Sequence, residues 1–258
     1  MIVGIVVNEA KDPSLSYAND IAAWLKTKGS TLAWGDEAYK SDFMVVLGGD
    51  GTMLRASKMA AKYNIPMLGI NLGNLGYLTD ADRKDGLKAI GNVLAGEFRR
   101  EQRMMLKARG ELALNEVFLH GKTSKLASYR IDVGGCVGYG HMDTLRADGI
   151  LVATPTGSTA YNLSAGGPII KPDSEMIVVT PVCPHTLYAR PWVISGNDEV
   201  CITPVDEDAV AVLDGEVKFH IKKGECLIIN RAECSATIIK TSNINFFEVL
   251  RKKMGNAR

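Results

Sequence analysis

The first hundred residues alternate between short apolar runs and helical patterns, and this alternation limits the folds open to the chain. The runs MIVGIVV at the N-terminus and FMVVL at 43–47 are apolar enough for strands that are buried on both faces. Another strand pattern, MLGI, and another amphipathic stretch, KDGLKAIGNVLAG, follow. Between the first two runs, apolar residues recur at helical spacing, namely Leu15, Ala18, Ile21, Ala22 and Leu25. The pattern predicts a doubly wound, Rossmann-like α/β domain with a parallel sheet.

After Phe98 the pattern changes to short β-rich runs separated by Gly, Pro, Asn and Asp, such as ELALNEVFLH and MIVVTPV. These runs predict a mainly antiparallel, β-sandwich-like second domain. The tail NINFFEVLRKKM is helical again, and its apolar face is expected to return to the first domain. We therefore expect an α/β domain at 1–98, completed by 240–258, and a β-rich domain at 99–239.

Composition excludes several classes of function. The formal net charge is +1, so the chain has no general attraction for nucleic acid or for a membrane surface. No run approaches the roughly 18 apolar residues that span a bilayer. The five cysteines are scattered without a C-x-x-C pair, which argues against a zinc ribbon or a disulfide framework and fits a reducing cytosol. These features predict a cytoplasmic protein with no nucleic-acid partner and no membrane association.

The motif GGDGT follows FMVVL directly and precedes a helical stretch. Glycine at Gly48, Gly49 and Gly51 lets an anion approach main-chain N–H groups at a helix N-terminus, and phosphate is the usual anion. Thr52 is expected to cap the helix, and Arg55 lies about one turn later, within reach of a phosphate. The alternative is a glycine-rich hairpin, but the position between a buried strand and a helix favours a phosphate site.

Asp50 is the unexpected member of this motif because a carboxylate repels phosphate. Two roles would explain it: holding a divalent metal that bridges phosphates, or accepting a proton from an attacking hydroxyl. Both roles belong to phosphoryl transfer. The chain has neither a Walker motif nor a G-x-G-x-x-G motif, so it is not a standard P-loop protein, nor evidently a dehydrogenase.

A second segment, TPTGSTAYNLS, is rich in hydroxyl and amide side chains and has no charge. Such groups suit recognition of sugar hydroxyls and base edges, and the alternative is a turn-rich surface loop. Upstream, Arg146 and Asp148 form an oppositely charged pair beside a flexible glycine. Asn115 and Glu116 are adjacent in a strand pattern, so one of them is expected to be buried and to need a partner.

Taken together, these segments resemble the NAD kinase family. GGDGT, GINLGNLGYLT, NEV, RADGILVATPTGSTAYNLSAGGP and HTLYARP occur in that order along the chain. GGDGT alone also resembles lipid kinases and phosphofructokinases, whereas TPTGSTAYNLSAGGP is far more discriminating. Tyr77 is a mild departure, because many members of the family carry Phe there, and an aromatic contact survives the change.

The resemblance implies transfer of the γ-phosphate of ATP to the 2′-hydroxyl of the adenosine ribose of NAD, which gives NADP. Asp50 would orient and deprotonate that hydroxyl. A divalent cation, with Mg²⁺ as the expected ion, would offset charge on the transferred group. It also implies a homodimer or homotetramer. The residues that would contact NAD are Asp50, Gly51, Tyr77, Asn115, Glu116, Arg146, Asp148, Thr159, Ala160, Tyr161, Asn162, Leu163, Ser164 and Glu216.

Two alternatives stay open on the sequence. Another GGDGT-type kinase would phosphorylate a lipid or a sugar. A non-catalytic dinucleotide sensor would keep the glycines but would have no need of Asp50. The sequence also leaves open whether polyphosphate can replace ATP as donor.

Overall fold

The computed structural model describes residues 1–73, 76–123, 126–135 and 138–255. The chain divides into two compact units, of which the first comprises Met1–Arg103 with Cys234–Arg258 and the second Met104–Glu233. The functional division predicted from the sequence, with boundaries at residues 98 and 240, stays a prediction.

The secondary structure follows in chain order. The chain begins with β1 (Ile2–Val7), α1 (Ser16–Thr27), β2 (Thr31–Trp34), a 3₁₀ helix (Gly35–Lys40), β3 (Phe43–Gly48), α2 (Asp50–Tyr63), β4 (Met67–Asn71), β5 (Ala81–Asp82), α3 (Gly86–Leu94) and β6 (Arg99–Ala108). It continues with β7 (Glu111–Ala113), β8 (Glu116–Gly121), β9 (Ala127–Gly135), β10 (Gly138–Ala147), β11 (Gly149–Ala153), a 3₁₀ turn (Gly157–Thr159) and α4 (Tyr161–Ser164). The last elements are β12 (Met176–Val182), β13 (Trp192–Ser195), β14 (Glu199–Pro204), β15 (Ala209–Leu213), β16 (Val217–Ile221), β17 (Leu227–Lys240) and α5 (Phe246–Gly255).

Parallel strands in the order β2–β1–β3–β4 form the sheet of the first unit. The end of β17 adds beside β4 in parallel, with Ile238 opposite Met67. The central strands β3 and β4 are buried throughout, as their continuous apolar runs predict.

Helices cover both faces of this sheet. Ile70 of β4 shares one core with Ile21 of α1 and Ile90 of α3. Gly69 points to the opposite face because side chains alternate along a strand, and there it lies against Met53 of α2. This arrangement confirms the doubly wound α/β fold.

Two antiparallel sheets form the second unit. One has six strands in the order β13–β12–β11–β8–β15–β16, and the other runs β10–β9–β14–β17, to which β17 contributes residues 227–229. Tyr129 and Ile131 of β9 share a buried core with Leu119 of β8 and Val152 of β11. The predicted β-sandwich-like architecture is therefore confirmed.

Asp80 fastens the chain that leads into α5. Its Oδ2 accepts from the main-chain N–H and the hydroxyl of Thr241, both at 2.7 Å, and its Oδ1 accepts from the hydroxyl of Ser242 at 2.8 Å. Lys240 is buried beside it and donates to the carbonyl oxygen of Thr79 at 2.9 Å. Burial lowers the pKa of Lys240, while the negative charge of Asp80 acts in the opposite direction. The predicted return of the chain end to the first domain thus depends on this buried polar cluster.

Two local features differ from the sequence expectations. Strand β2 was not predicted, because its four residues form a partly exposed edge strand without a continuous apolar run. The structure also places the side chains of Cys201 and Cys226 against each other, with a Cα–Cα distance of 5.7 Å. Spacing gave no sign of this pair, because the antiparallel pairing of β14 with β17 brings the two residues together across 25 positions.

Within the ranges that the structure describes, no helix is long and apolar enough to cross a membrane.

Replacing Asp80 by Ala is expected to lower the free energy of unfolding by about 2–4 kcal/mol, because several partly buried donors lose their acceptor. Urea unfolding of both proteins measures the difference. Asp36→Ala, on the exposed surface of the 3₁₀ helix, serves as control and should change stability by less than about 0.5 kcal/mol. Equal effects of the two substitutions would contradict the anchoring role of Asp80.

Candidate active site

Asp50 is the first residue of α2, preceded by Gly49 in extended backbone. Its Oδ2 accepts the main-chain N–H of Tyr77 at 3.0 Å, and its Oδ1 accepts the main-chain N–H of Leu78 at 2.9 Å. Two carboxylate oxygens offer about four acceptor positions, so these bonds fix the orientation of the group and leave it able to accept from a hydroxyl. Asp50 is therefore an oriented acceptor rather than a loosely solvated side chain.

Asp50 occupies the space that a Cβ on Gly76 would need. A Cβ built on Gly76 would overlap Asp50 Oδ1, and it would also lie close to the hydroxyl of Thr79. The loop that supplies the N–H groups to Asp50 therefore needs glycine at this position. This contact gives a physical reason for a glycine directly before Tyr77.

Thr52 does not cap helix α2, contrary to the sequence prediction. The helix begins at Asp50, so Thr52 lies inside its first turn. Its buried hydroxyl accepts from the side-chain amide of Asn8 at 3.2 Å. A Cβ on Gly48 would overlap the Thr52 side chain, so Gly48 serves the packing of the turn. Thr52 and Gly48 therefore stabilise the GGDGT turn by packing against each other.

Lys11 lies beside the same turn, and the sequence reasoning missed it. Its ammonium nitrogen is 3.2 Å from the position that a Cβ on Gly49 would take and 3.5 Å from the corresponding position on Gly73. The main-chain N–H of Lys11 donates to the carbonyl of Asn8 at 2.9 Å, which fixes the start of this loop. A single lysine after a first strand carries no sequence signal. Arg55 is exposed one turn along α2.

Helix α5 contributes an aromatic ring and a cation beside Tyr77. Phe246 lies 6.3 Å from the Tyr77 ring, centre to centre, and Lys253 Nζ lies 4.3 Å from the centre of that ring. The same Lys253 Nζ is 3.4 Å from Asp50 Oδ2. Burial raises the pKa of Tyr77, and the charge of Asp50 acts in the same direction. The structure thus brings the predicted residues Asp50 and Tyr77 together, with Lys253 as a third member that the sequence did not reveal.

The described residues do not form a resident metal site. No group of three or more His, Cys, Asp or Glu side chains among them could hold an ion. Asp82 and Asp85 line an open pocket of about 530 Å³ in the first unit, but Lys88 and Lys252 line it too and oppose a cation. Asp50 is a single carboxylate, whereas protein cages for a divalent cation need several oxygen ligands.

In the second unit, Asp214 orients the pair Asn115 and Glu116. Its Oδ1 accepts their main-chain N–H groups at 2.8 and 3.1 Å, and its Oδ2 accepts the N–H of Leu114 at 2.8 Å. Asn115 and Glu116 are both half-buried, contrary to the expectation that one of them is buried, but Glu116 Oε2 is itself buried and has no hydrogen-bond partner in the described ranges. Burial raises the pKa of Glu116 to about 8, and Asp214 acts in the same direction. Asp214 itself was not among the predicted residues, although it begins the turn DGE that ends at the predicted Glu216.

Tyr161 lies near two other predicted residues, Asp148 and Glu116, and contacts Phe118. Its ring lies edge-on to Phe118 at 5.2 Å. Burial raises the pKa of Tyr161, and the neighbouring Cys183, Asp148 and Glu116 act in the same direction. Glu116, Asp148 and Tyr161 therefore share one electrostatic environment around a partly exposed ring.

Asn162 has a structural role that the sequence did not predict. The side chain is fully buried, its amide nitrogen donates to the carbonyls of Ser158 and Pro168, both at 3.1 Å, and its oxygen accepts from Thr180 at 2.7 Å. The Asn162 side chain therefore forms its hydrogen bonds with the protein itself and stabilises the conformation of the TPTGSTAYNLS segment. Thr156 of the same segment has a buried hydroxyl with no hydrogen-bond partner in the described part of the chain.

The other predicted positions are open to solvent to different degrees. Thr159, Ala160 and Leu163 are half-buried, and Ser164 is exposed. Arg146, Asp148 and Glu216 are also exposed. The glycine after Asp148 is not a flexible joint, because a Cβ on Gly149 would overlap the carbonyl of Leu119 and the ring of Phe118.

Comparison with known proteins gives consistent similarities over almost the whole chain. Residues 35–98 match the family model of the ATP-NAD kinase N-terminal domain, and residues 114–241 match that of the ATP-NAD kinase C-terminal domain. The chain is 36% identical to the NAD kinase of Caldanaerobacter subterraneus subsp. tengcongensis, over 98% of each chain.

Two solved structures are similar to this one. An NAD kinase from Archaeoglobus fulgidus in complex with ATP has a TM-score of 0.80 and 26% identity, and the match covers 100% of this chain and 99% of that one. A yeast NADH kinase complexed with NADH has a TM-score of 0.82 and 23% identity, with 99% of this chain and 87% of that one covered.

Glu116 is expected to make stability depend on pH. Its pKa is about 8 in the folded chain against an ordinary value of 4.5, so the folded state binds this proton more tightly than the unfolded state. The stabilisation is therefore fully present at low pH and is lost as the pH rises from about 4.5 to about 8. In urea unfolding, wild type should lose stability across this range relative to Glu116→Gln, which mimics the protonated acid. Parallel pH curves for the two proteins would contradict a buried neutral Glu116.

Proposed function

This chain belongs to the NAD kinase family, and we propose that Asp50 carries its reaction, the transfer of the γ-phosphate of ATP to the 2′-hydroxyl of the adenosine ribose of NAD. The observation that supports this role is the pair of main-chain hydrogen bonds that fixes the Asp50 carboxylate and leaves it able to accept from a hydroxyl. Asp50 would bind the 2′-hydroxyl, aim its oxygen at the γ-phosphorus and take its proton.

The reaction balances without a further reactant. A bond forms between the ribose 2′-oxygen and the γ-phosphorus, and the bond from that phosphorus to the β–γ bridging oxygen breaks, so ADP leaves with the electron pair. The hydroxyl proton passes to Asp50. A carboxylate is a weak base for a sugar hydroxyl, but in a loose transition state the proton leaves late, so Asp50 acts chiefly by orienting the oxygen.

The phosphates of ATP would lie at the N-terminus of α2. Gly49 and Gly51 leave the main chain open to an anion, and the positive end of the helix favours it. Lys11 supports this assignment because its ammonium faces Gly49, and exposed Arg55 is the other cation proposed to contact phosphate. Because the described residues offer no cage for a divalent ion, we propose that Mg²⁺ enters as part of the ATP complex.

Residues of the second unit would bind the dinucleotide. Glu116, with its pKa near 8, would be a neutral acid at neutral pH and could donate to a carbonyl or ring nitrogen of NAD. Asn115, Asp148 and Tyr161 are the other side chains proposed to touch it, and Tyr77 of the first unit is a further one. The remaining proposed contacts are made by Gly51, Arg146, Thr159, Ala160, Leu163, Ser164 and Glu216.

Two finer statements, the homodimeric or homotetrameric state and the cytoplasmic location, stay predictions. Incubation of the protein with ATP, Mg²⁺ and NAD, a lipid or a sugar tests the acceptor. NADP formation supports the proposal, whereas another phosphorylated product, or binding of NAD without turnover, would contradict it in favour of the two alternatives.

Asp50→Asn is expected to lower turnover by roughly a hundredfold or more, the usual scale for loss of acid–base catalysis, while NAD still binds. Asparagine keeps the size of the side chain but removes one acceptor and the basic oxygen. Steady-state NADP formation and calorimetric titration with NAD measure the two effects. Near-normal turnover would reassign Asp50 to a structural role.

Gly76→Ala should lower turnover by about tenfold or more, because its Cβ would displace the Asp50 carboxylate from its two N–H donors. Gly91→Ala is the matched control: its Cβ would meet only Trp24, at an ordinary contact distance of 3.8 Å, on a helix that favours alanine. We expect normal turnover for this control. Retained activity in Gly76→Ala would mean that the position of Asp50 does not limit the reaction.

A further inference from the structure

Lys253 stands out among the cations of the first unit because it approaches Asp50 itself. Its Nζ is 3.4 Å from Asp50 Oδ2, and both side chains are about one-third exposed (32% for Lys253 and 31% for Asp50). The mechanism proposed above does not use it. GGDGT places a carboxylate where a triphosphate has to bind, and the motif itself contains no cation that would offset this repulsion.

We propose that Lys253 is a positioning residue for phosphoryl transfer: its ammonium holds the Asp50 carboxylate and screens its charge from the incoming γ-phosphate. This inference rests on the proposed function. An ammonium has three N–H donors, and one of them is directed at Asp50. The group therefore keeps donors for an oxygen of the transferred phosphate while it holds the carboxylate. Lys253 neither gains nor loses a proton in this role.

The position of Lys253 depends on contacts other than the ion pair. Its ammonium lies over the face of the Tyr77 ring at 4.3 Å from the centre, a geometry that attracts a cation. Phe246 at the start of α5 lies against the same ring. The chain before α5 is held by Asp80 through Thr241 and Ser242. The Asp50–Lys253 contact is thus supported from both the ring and the helix, unlike an isolated surface ion pair.

Lysine suits this task better than a rigid cation. Its ammonium is compact and sits on a flexible stem, so it can follow the carboxylate and the phosphate as charge moves between them. The neighbouring Arg251 and Lys252 are more exposed on the same helix, and of these three cations Lys253 is the one that the described structure places against Asp50. The role therefore belongs to one position on the helix and not to its basic character in general.

The test compares Lys253→Met, Lys253→Arg and Arg251→Met with wild type in steady-state NADP formation, with NAD affinity measured by calorimetry in the absence of ATP. Lys253→Met is expected to lower kcat by roughly tenfold or more and to raise KM for ATP severalfold. NAD affinity should stay within about threefold, because the lysine acts on the phosphate side. Lys253→Arg keeps the charge but not the compact ammonium, and should recover part of the activity. Arg251→Met makes the same change in net charge and should leave kcat and KM unchanged.

Each outcome decides between the two proposals. If wild type makes NADP and Lys253→Met keeps its kcat and KM for ATP, the inference is overturned while the proposed function stands. Equal losses in Lys253→Met and Lys253→Arg, with weaker NAD binding and a lower melting temperature, would show a purely structural helix contact and would also overturn it. If wild type makes no NADP, the proposed function fails, and the role of Lys253 fails with it.

Discussion

The two hydrogen bonds from the main-chain N–H groups of Tyr77 and Leu78 to the Asp50 carboxylate are the interaction on which the candidate site depends. They join the first turn of α2 to the segment that follows β4, and both elements begin where parallel strands end. Ligand sites commonly lie at this edge of an open α/β sheet. Because a carboxylate at a helix N-terminus is also favoured by the helix dipole, the fold stabilises the one acidic group that the proposed chemistry needs.

The two units differ in how they use charge. In the first, an acid and cations lie close together around a glycine-rich turn, an arrangement suited to phosphates that must be bound and then released. In the second, the side chains of TPTGSTAYNLS are neutral, and burial keeps the proton on Glu116 at neutral pH. Uncharged donors and acceptors suit a ribose and a base. Here the carboxylate of Asp214 orders the main chain by accepting N–H groups. In the first unit the main-chain N–H groups of Tyr77 and Leu78 order the carboxylate of Asp50.

Local sequence patterns predicted the elements that depend on residues close together in the chain. They did not predict contacts between residues that are far apart in the chain. The apolar runs of β3 and β4 predicted the parallel sheet because both strands are buried on both faces. Short and partly exposed β2 had no such run. Asp50 was found because its own motif is unusual, whereas Lys253 lies 203 positions further along the chain and Asp214 about a hundred positions after its partners, so no spacing could reveal either. Thr52 was given the wrong role because the helix begins two residues before it.

A crystal structure of this protein with NAD bound and no phosphoryl donor present would show directly whether Asp50 faces the adenosine ribose. We expect an Asp50 carboxylate oxygen at hydrogen-bond distance, about 2.6–3.2 Å, from the 2′-oxygen of that ribose, with the Tyr77 and Leu78 N–H groups still donating to the carboxylate. An adenosine ribose bound well away from Asp50, or a carboxylate turned from the sugar with both N–H bonds broken, would contradict the role proposed for Asp50.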